Sequence, residues 1–332
     1  MIEKLDKPPY EVDLNVLARF DERDNVFGRV IHDKTAPFFY KSNYELAHEI
    51  VAKDVEGYTR IELARSLAGW TVYNHFTGAF AGEKLRNQFT DMAEPKFDKY
   101  EIADVDAITA NVKLTAKRFG ATLTGICELN PLWIYSNDMF GKPVEIPQQF
   151  KYAIVMAIKM DKDAMLKSPR WETVTEGGIC YSKMAFTASC VAEFIRNLGY
   201  NALSAGNDTA LNVPLAIDAG LGELGRNGLL ITPEFGPGVR LCKVFTDMPL
   251  NPDKPIKFGV TEKCLECREC VKSCAVGAIS EVVEPNFDVK TKSNNPGAKK
   301  WAVDHDKCYM FWVQNGGGCS NCLAACPYFV NS

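Results

Sequence analysis

Cysteines carry the most legible chemistry in this chain. Four of them fall within the eleven positions 264–274 as C-x2-C-x2-C-x3-C (Cys264, Cys267, Cys270 and Cys274). A second set begins at Cys308 and, after a ten-residue spacer, continues as C-x2-C-x3-C-P at Cys319, Cys322, Cys326 and Pro327. Four thiolates complete a [4Fe–4S] cube, and three closely spaced cysteines wrap one of its faces. The next cysteine in such a run, three residues further on, points toward a second cube. By this crossed rule cluster A takes Cys264, Cys267, Cys270 and Cys326, and cluster B takes Cys274, Cys308, Cys319 and Cys322. Structural zinc usually shows two C-x2-4-C pairs and a longer spacer, which three cysteines in seven residues fit poorly. Ala275 stands where the simplest two-cluster pattern has a proline, and the spacer "YMFWVQNGGG" is expected to loop over cluster B. Phe311 and Trp312 in that spacer either shield the cluster from water, lowering its potential, or belong to ordinary core packing.

Two clusters need far less than 332 residues, so the bulk of the chain must serve something else. Composition is that of a globular protein, 46% hydrophobic and 24% charged, with ample length for a buried core. A net charge of −4 gives no footing for nucleic acid. No apolar run approaches the ~18–20 residues of a membrane span. The opening "MIEKLDKPPYEVD" shows no charged n-region, apolar h-region or twin arginine. The expectation is a chain that is cytoplasmic as written, or the mature form of an exported, membrane-associated protein. The other four cysteines, Cys127, Cys180, Cys190 and Cys242, sit in apolar stretches and read as small buried hydrophobes.

The elements that position this chemistry follow from period and punctuation. Residues 1–45 read as irregular. Helical spacing marks 44–55, 57–76 and 103–120, the last closing on Gly120. "ATLTGICEL" (121–129) and "YAIVMAIKM" (152–160) read as buried strands. A helix is expected over 182–200, a strand at "NALSAG" and a helix opening "NVPLAIDAGLGELG" (212–225). Residues 226–250 suggest a β-hairpin turning at "EFGPG". The sum is an α/β (α+β) sandwich core over 121–256, capped by a mostly helical or irregular 1–120. The Pro/Lys-rich "NPDKPIKFGVTEK" (251–263) places a boundary near 257, ahead of a two-cluster domain over 257–332.

The search for a second cofactor finds a decoy. "GLGELG" (220–225) satisfies G-x-G-x-x-G, but it follows a helical segment and precedes a strand. A dinucleotide site needs strand, glycine turn and helix in that order, so close backbone packing is the better reading. P-loop, G-x-S-x-G and the cobalamin signature D-x-H-x-x-G are all missing, and His32, His48, His75 and His305 lack zinc-ligand spacing. What remains is an α/β core fed by two low-potential clusters, with a candidate acid in the tyrosine of "GGICYSKM". A redox cofactor held by backbone and shape would leave no motif.

The stretch 200–250, "YNALSAGNDTALNVPLAIDAGLGELGRNGLLITPEFGPGVRLCKVFTDMPL", followed by the two-cluster module, resembles the C-terminal half of the corrinoid-dependent reductive dehalogenases. "FDERDNVFGR" (20–29), "AGWTVYNHF" (68–76) and "ELNPLWIYS" (128–136) are weaker matches upstream. The resemblance implies a nitroreductase-like cobalamin-binding α/β sandwich followed by a ferredoxin-like domain. It implies a cobalamin bound base-off, without a protein lower ligand, in agreement with the missing D-x-H-x-x-G. Carried over by position, its catalytic residues are Tyr181, Asn207 and Arg240, with Tyr181, Asn207 and Leu241 in the cobalamin neighbourhood. The chemistry is sensible. A tyrosine keeps its proton at neutral pH and can act as general acid, an arginine stabilises the phenolate left behind, and an asparagine can orient the hydroxyl. Arg226, in "GRNG", reads as packing a turn.

The implied function is reductive removal of halide from a small organohalide, with Tyr181 as proton donor. Electrons would come from a low-potential donor through cluster B, taken as solvent-facing, and then cluster A. A membrane-anchor partner follows from the resemblance alone. Tyr40, Trp70, Tyr73, Phe76, Trp133 and Tyr135 are candidates for an aromatic substrate box. Two alternatives stay open: an epoxyqueuosine reductase, which shares the architecture and acts on transfer RNA, and an electron-transfer protein without its own catalysis.

Overall fold

The computed structural model describes residues 2–73 and 97–332. Its centre is a four-stranded sheet of β1 (Leu123–Glu128), β2 (Tyr152–Lys159), β3 (Ala202–Ala205) and β4 (Val239–Thr246). The spatial order is β1-β2-β4-β3 and every pair is antiparallel. Around it lie α1 (Val26–His32), α2 (Arg60–Gly69), α3 (Val105–Arg118), α4 (Trp171–Asn197) and α5 (Asn212–Asp218). The cysteine module follows with α6 (Val260–Cys267), α7 (Glu269–Ser273), α8 (His305–Gln314), α9 (Asn321–Ala324) and α10 (Pro327–Val330).

Both faces of the sheet are covered, which is why its strands read as continuous apolar runs. Ile154, Met156, Ile158, Cys242 and Val244 pack against Val112 of α3 and Met184, Val191 and Ile195 of α4. The alternate residues, Ala153, Val155, Ala157, Leu241 and Phe245, pack against Leu215 and Ala216 of α5. The period of two therefore distributes each strand between two cores, and the expected sandwich is three layers deep. The helix at 103–120 ends as read, on Gly120 at φ 103°.

Three local expectations are corrected. The helix placed at 182–200 begins at Trp171. Its first turns are disguised by "ETVTEGG", yet Trp171 and Val174 are buried. Gly178 is needed there because a Cβ would stand 2.8 Å from the Trp70 ring. Residues 226–250 do not form one hairpin. Leu230–Ile231 pairs back with Glu223–Leu224, and β4 goes instead between β2 and β3, where both its apolar faces are buried. The N-terminal stretch is not wholly irregular, since it forms α1 and pairs Glu3–Lys4 with Ile256–Lys257. Of the segments 57–76 and 68–76, the part from residue 74 on, with His75 and Phe76, lies outside the described residues.

The glycine decoy resolves as close packing. A Cβ at Gly222 would meet the Ile231 carbonyl oxygen at 2.0 Å, and one at Gly220 (φ 73°) the Lys254 carbonyl oxygen at 2.4 Å. Gly222→Ala is expected to lower unfolding stability by about 2 kcal/mol or more, because backbone cannot yield as a side chain can. A denaturation midpoint equal to that of the parent protein would contradict this packing role.

Candidate active site

Tyr181 projects from the middle of α4 into an aromatic cage. The Trp70 ring lies 4.9 Å from its centroid, tilted by 30°, and Tyr73 meets it edge-on at 5.3 Å. Ser182 ties this corner together, accepting from the Tyr73 amide at 3.1 Å and donating to the Gly69 carbonyl at 2.7 Å. Arg240, on β4, places its guanidinium carbon 5.4 Å from the Tyr181 ring centroid. Its Nε is buried with no hydrogen-bond partner among the described residues. Asn207 donates from Nδ2 to the Tyr181 hydroxyl. The three residues named from sequence therefore meet, with Arg240 against the ring and Asn207 at the hydroxyl.

Leu241 requires correction. Its side chain is buried in the core facing α5, and only its carbonyl reaches this corner, accepting from Asn212 Nδ2 at 3.2 Å. A residue that sequence reading missed does more. Lys243 is fully buried, and its Nζ donates to the Gly206, Asp208 and Ala210 carbonyls and to Asn212 Oδ1 at 2.7–2.9 Å. It thereby holds the loop that carries Asn207. Burial lowers its pKa to about 8. The available signal was a lysine inside an otherwise apolar central strand, "VRLCKVFT".

Tyr181 and Asn207 open onto a cavity of about 640 Å³, in the range of ~300–1,000 Å³ usual for small-molecule sites. Of the proposed aromatic box, Trp70, Tyr73 and Tyr135 line it. Tyr40 is exposed and stacks on Phe39, while Trp133 is buried elsewhere, its Nε1 donating to Asp218 at 2.9 Å. Phe27, Tyr309 and Trp312 complete the aromatic wall and were not foreseen as lining residues. Desolvation pushes the Tyr73 and Tyr135 hydroxyls up, so both keep their protons. His305 also lines the cavity. Burial pushes it down to about 4, so it is neutral, and its Nδ1 is met by Asn294 Nδ2 at 3.1 Å. α1 brings Phe27 to this wall and is anchored by Arg29, whose guanidinium bonds Asp306 at 3.0 Å and Asp33 at 3.0 Å.

The eight module cysteines separate into two nests. Cys264, Cys267, Cys270 and Cys326 surround one small cavity. Cys308 is pushed up to about 12 by burial and by Cys319 and Cys274, and Cys322 is raised by burial and by Cys308, Cys319, Cys270 and Cys274. Cys270 reaches about 12, through burial and then Cys264 and Cys326. The small cavity is lined by the four cysteines expected for cluster A. Among the described residues no three cysteine, histidine or carboxylate side chains close on a single ion-sized point. Backbone amides point at sulfur in the second nest, from Ala278 to Cys274 Sγ at 3.2 Å and from Asn321 to Cys319 Sγ at 3.5 Å. Arg226 is structural, donating to the Cys264, Ser280, Val282 and Val283 carbonyls at 2.6–3.0 Å.

Two expectations about the module change. The first six residues of the spacer, 309–314, belong to helix α8, which is started by Asp304, whose side chain accepts from the Lys307 amide, and only 315–318 form a turn and loop. The order of the clusters is reversed, because Cys308 lies on the wall of the cavity that holds Tyr181. The nest of Cys308 is thus the inner one, and the nest of Cys264 lies beyond it between the 225–227 turn and Tyr328. Of the remaining cysteines, Cys127, Cys180 and Cys242 are buried and Cys190 is half-buried, each with its thiol held up by burial as packing residues would be.

The described residues bring together a covered antiparallel sheet, two nests of cysteines and an aromatic chamber with Cys308 on its wall. Residues 128–250 match the family described as reductive dehalogenase subunit, and residues 263–330 match the 4Fe-4S dicluster domain. The tetrachloroethene reductive dehalogenase of Sulfurospirillum multivorans is 35% identical over 327 residues, covering 86% of this chain and 64% of that relative. That of Desulfitobacterium hafniense is 38% identical over 259 residues, or 65% of this chain and 47% of that relative. The structure of a catabolic reductive dehalogenase in complex with 3-bromo-4-hydroxybenzoic acid superposes over 99% of this chain and 44% of its own, with a TM-score of 0.76 at 24% identity. An epoxyqueuosine reductase of Listeria monocytogenes matches 35% of the chain at 33% identity, a distant relationship. The chain belongs to the reductive dehalogenase family and spans about half to two thirds of the length of these curated dehalogenase relatives.

Crossed ligation makes a testable statement. Cys264→Ser and Cys326→Ser should each cost about half of the bound iron and remove the same EPR signal of the reduced protein, although 62 positions separate them. Loss of different signals in the two variants would refute the shared nest.

Proposed function

We propose that the protein is a reductive dehalogenase, catalysing R–X + 2 e⁻ + H⁺ → R–H + X⁻ on a small organohalide. The observation that carries this reading is that Cys308 of the inner nest and the Tyr181 hydroxyl face one cavity. The family implies a corrinoid, and the chamber suits one. It is walled by aromatic rings, and Trp312 Nε1 is buried there without a partner among the described residues, ready for an amide of the ligand. When bound, a corrinoid supplies a cobalt centre able to take electrons singly and open a carbon–halogen bond. The lack of D-x-H-x-x-G supports a corrinoid held base-off, without a side-chain lower ligand.

The chain's own residues do the rest. Cluster A receives electrons from a low-potential donor and passes them to cluster B, whose Cys308 borders the chamber. Trp70, Tyr73, Tyr135 and Phe27 exclude water and accept an apolar substrate. Tyr181 gives its proton to the carbon that loses halide, Asn207 orients the hydroxyl, and Arg240 at 5.4 Å from the ring stabilises the phenolate that forms. Residues 1–256 form the cobalamin-binding catalytic domain and 257–332 the ferredoxin-like domain. A membrane-anchored partner fits the same reading, and among the described residues no helix is long and apolar enough to cross a membrane.

Protein reconstituted with iron, sulfide and hydroxocobalamin is expected to bind cobalt and to release halide from a panel of haloalkenes and halophenols with reduced viologen as donor. Bound cobalt without halide release from any of them would overturn the assignment. Tyr181→Phe should keep iron and cobalt content and lose turnover by about 100-fold or more. Full activity in that variant would remove Tyr181 as the proton source.

A further inference from the structure

A tyrosine has one hydroxyl proton, and its use as an acid depends on where that proton points. Asn207 Nδ2 faces the Tyr181 oxygen. Were the amide reversed, its oxygen would accept the Tyr181 proton and hold it inside the protein. The sense of this amide is therefore a catalytic variable, and buried neighbours set it.

The chain of constraint begins at Lys243. An ammonium only donates, so the Asn212 atom that meets it at 2.8 Å must be Oδ1. The Asn212 amide nitrogen then faces the Gly206 carbonyl at 3.0 Å and the Leu241 carbonyl at 3.2 Å, two groups that only accept, so its direction is determined twice. The same nitrogen lies 2.9 Å from Asn207, where it can meet only Oδ1. Asn207 must then present its NH₂ to Tyr181. The hydroxyl oxygen accepts, and its proton is left to the cavity that both residues line.

We infer that Lys243 and Asn212 are positioning residues that fix the sense of the Asn207 amide and so aim the Tyr181 proton at the substrate. The inference rests on Tyr181 being the proton donor. It also accounts for a fully buried lysine that contacts none of the reacting groups. Such a cation is costly in the interior unless every donor is met, as here. Three of its acceptors are backbone carbonyls, which hold the loop, and the fourth is the side chain that begins the relay.

The test is Asn212→Asp in the holoenzyme. The replacement is nearly isosteric and keeps a partner for Lys243, but it gives up the bonds to the Gly206 and Leu241 carbonyls, so cofactor content and the state of the tyrosine hydroxyl, not activity alone, separate the relay from a structural role. It offers only acceptors toward Asn207, which reverses that amide and captures the Tyr181 proton. Expected are iron and cobalt content as in the parent, a kcat lower by about 10- to 100-fold and a KM within about threefold. Ultraviolet resonance Raman, read as the difference against Tyr181→Phe, should show the tyrosine hydroxyl changing from acceptor to donor. In the Tyr181→Phe background the same substitution should cost nothing further. Parental kcat and an unchanged Raman signature would overturn the inference. If Asn212→Asp does not load its cofactors, Asn212→Ala releases the amide without adding charge, and parental activity there is equally fatal. Should Tyr181→Phe itself prove fully active, the proton-donor reading has failed; should only the Asn212 variants be active, the relay alone has.

Discussion

Strand β4, paired on both edges in the middle of the sheet, is the constraint from which the site follows. Its period of two sends Arg240 to the α4 side, against the Tyr181 ring, and Lys243 to the α5 side, beneath the Asn207 loop. The registers with β2 and β3, Ile158 opposite Arg240 and Ala205 opposite Lys243, keep both placements. A slip of one residue would exchange the two faces, burying Arg240 where the loop needs an ammonium. Apolar burial of Cys242, Val244, Leu241 and Phe245 between two cores opposes such a slip.

Helix α4 is the second fixed body. It buries Met184, Val191 and Ile195 on the sheet and accepts α2 at close range through Gly178, so that Trp70 lies over Tyr181. Tyr181 is thereby carried on a long helix, and the amide that meets its hydroxyl on a loop held by a buried cation. That division suits a site whose geometry must hold when a large ligand enters.

The cysteine module is attached to the core through two buried arginines. Arg226 clamps the turn after the glycine decoy onto the carbonyls of the module, and Arg29 ties α1 to α8. Cys308 and Trp312 lie on one helix, α8, so the inner nest and the chamber wall are set by the same element.

Much of this is legible in the order of the residues. Cysteine spacing names the two ligand sets, because thiolates on a cube must come from short loops and a crossed fourth ligand. Apolar runs over 123–128, 152–159 and 202–205 identify three strands, since covered strands have no polar face to hide them. Residue identity within a family resemblance picks out Tyr181, Asn207 and Arg240, which do meet. The early start of α4 escapes, as its glycines make sense only against Trp70, a contact between segments about 100 residues apart. The order of the clusters, the cavity wall and the role of Lys243 are decided by tertiary structure alone. Sequence settles which groups can bind iron or carry a proton, because that is a property of the side chain. Which nest faces the chamber, and which groups surround the Tyr181 hydroxyl, depends on neighbours that only the packed chain brings within reach.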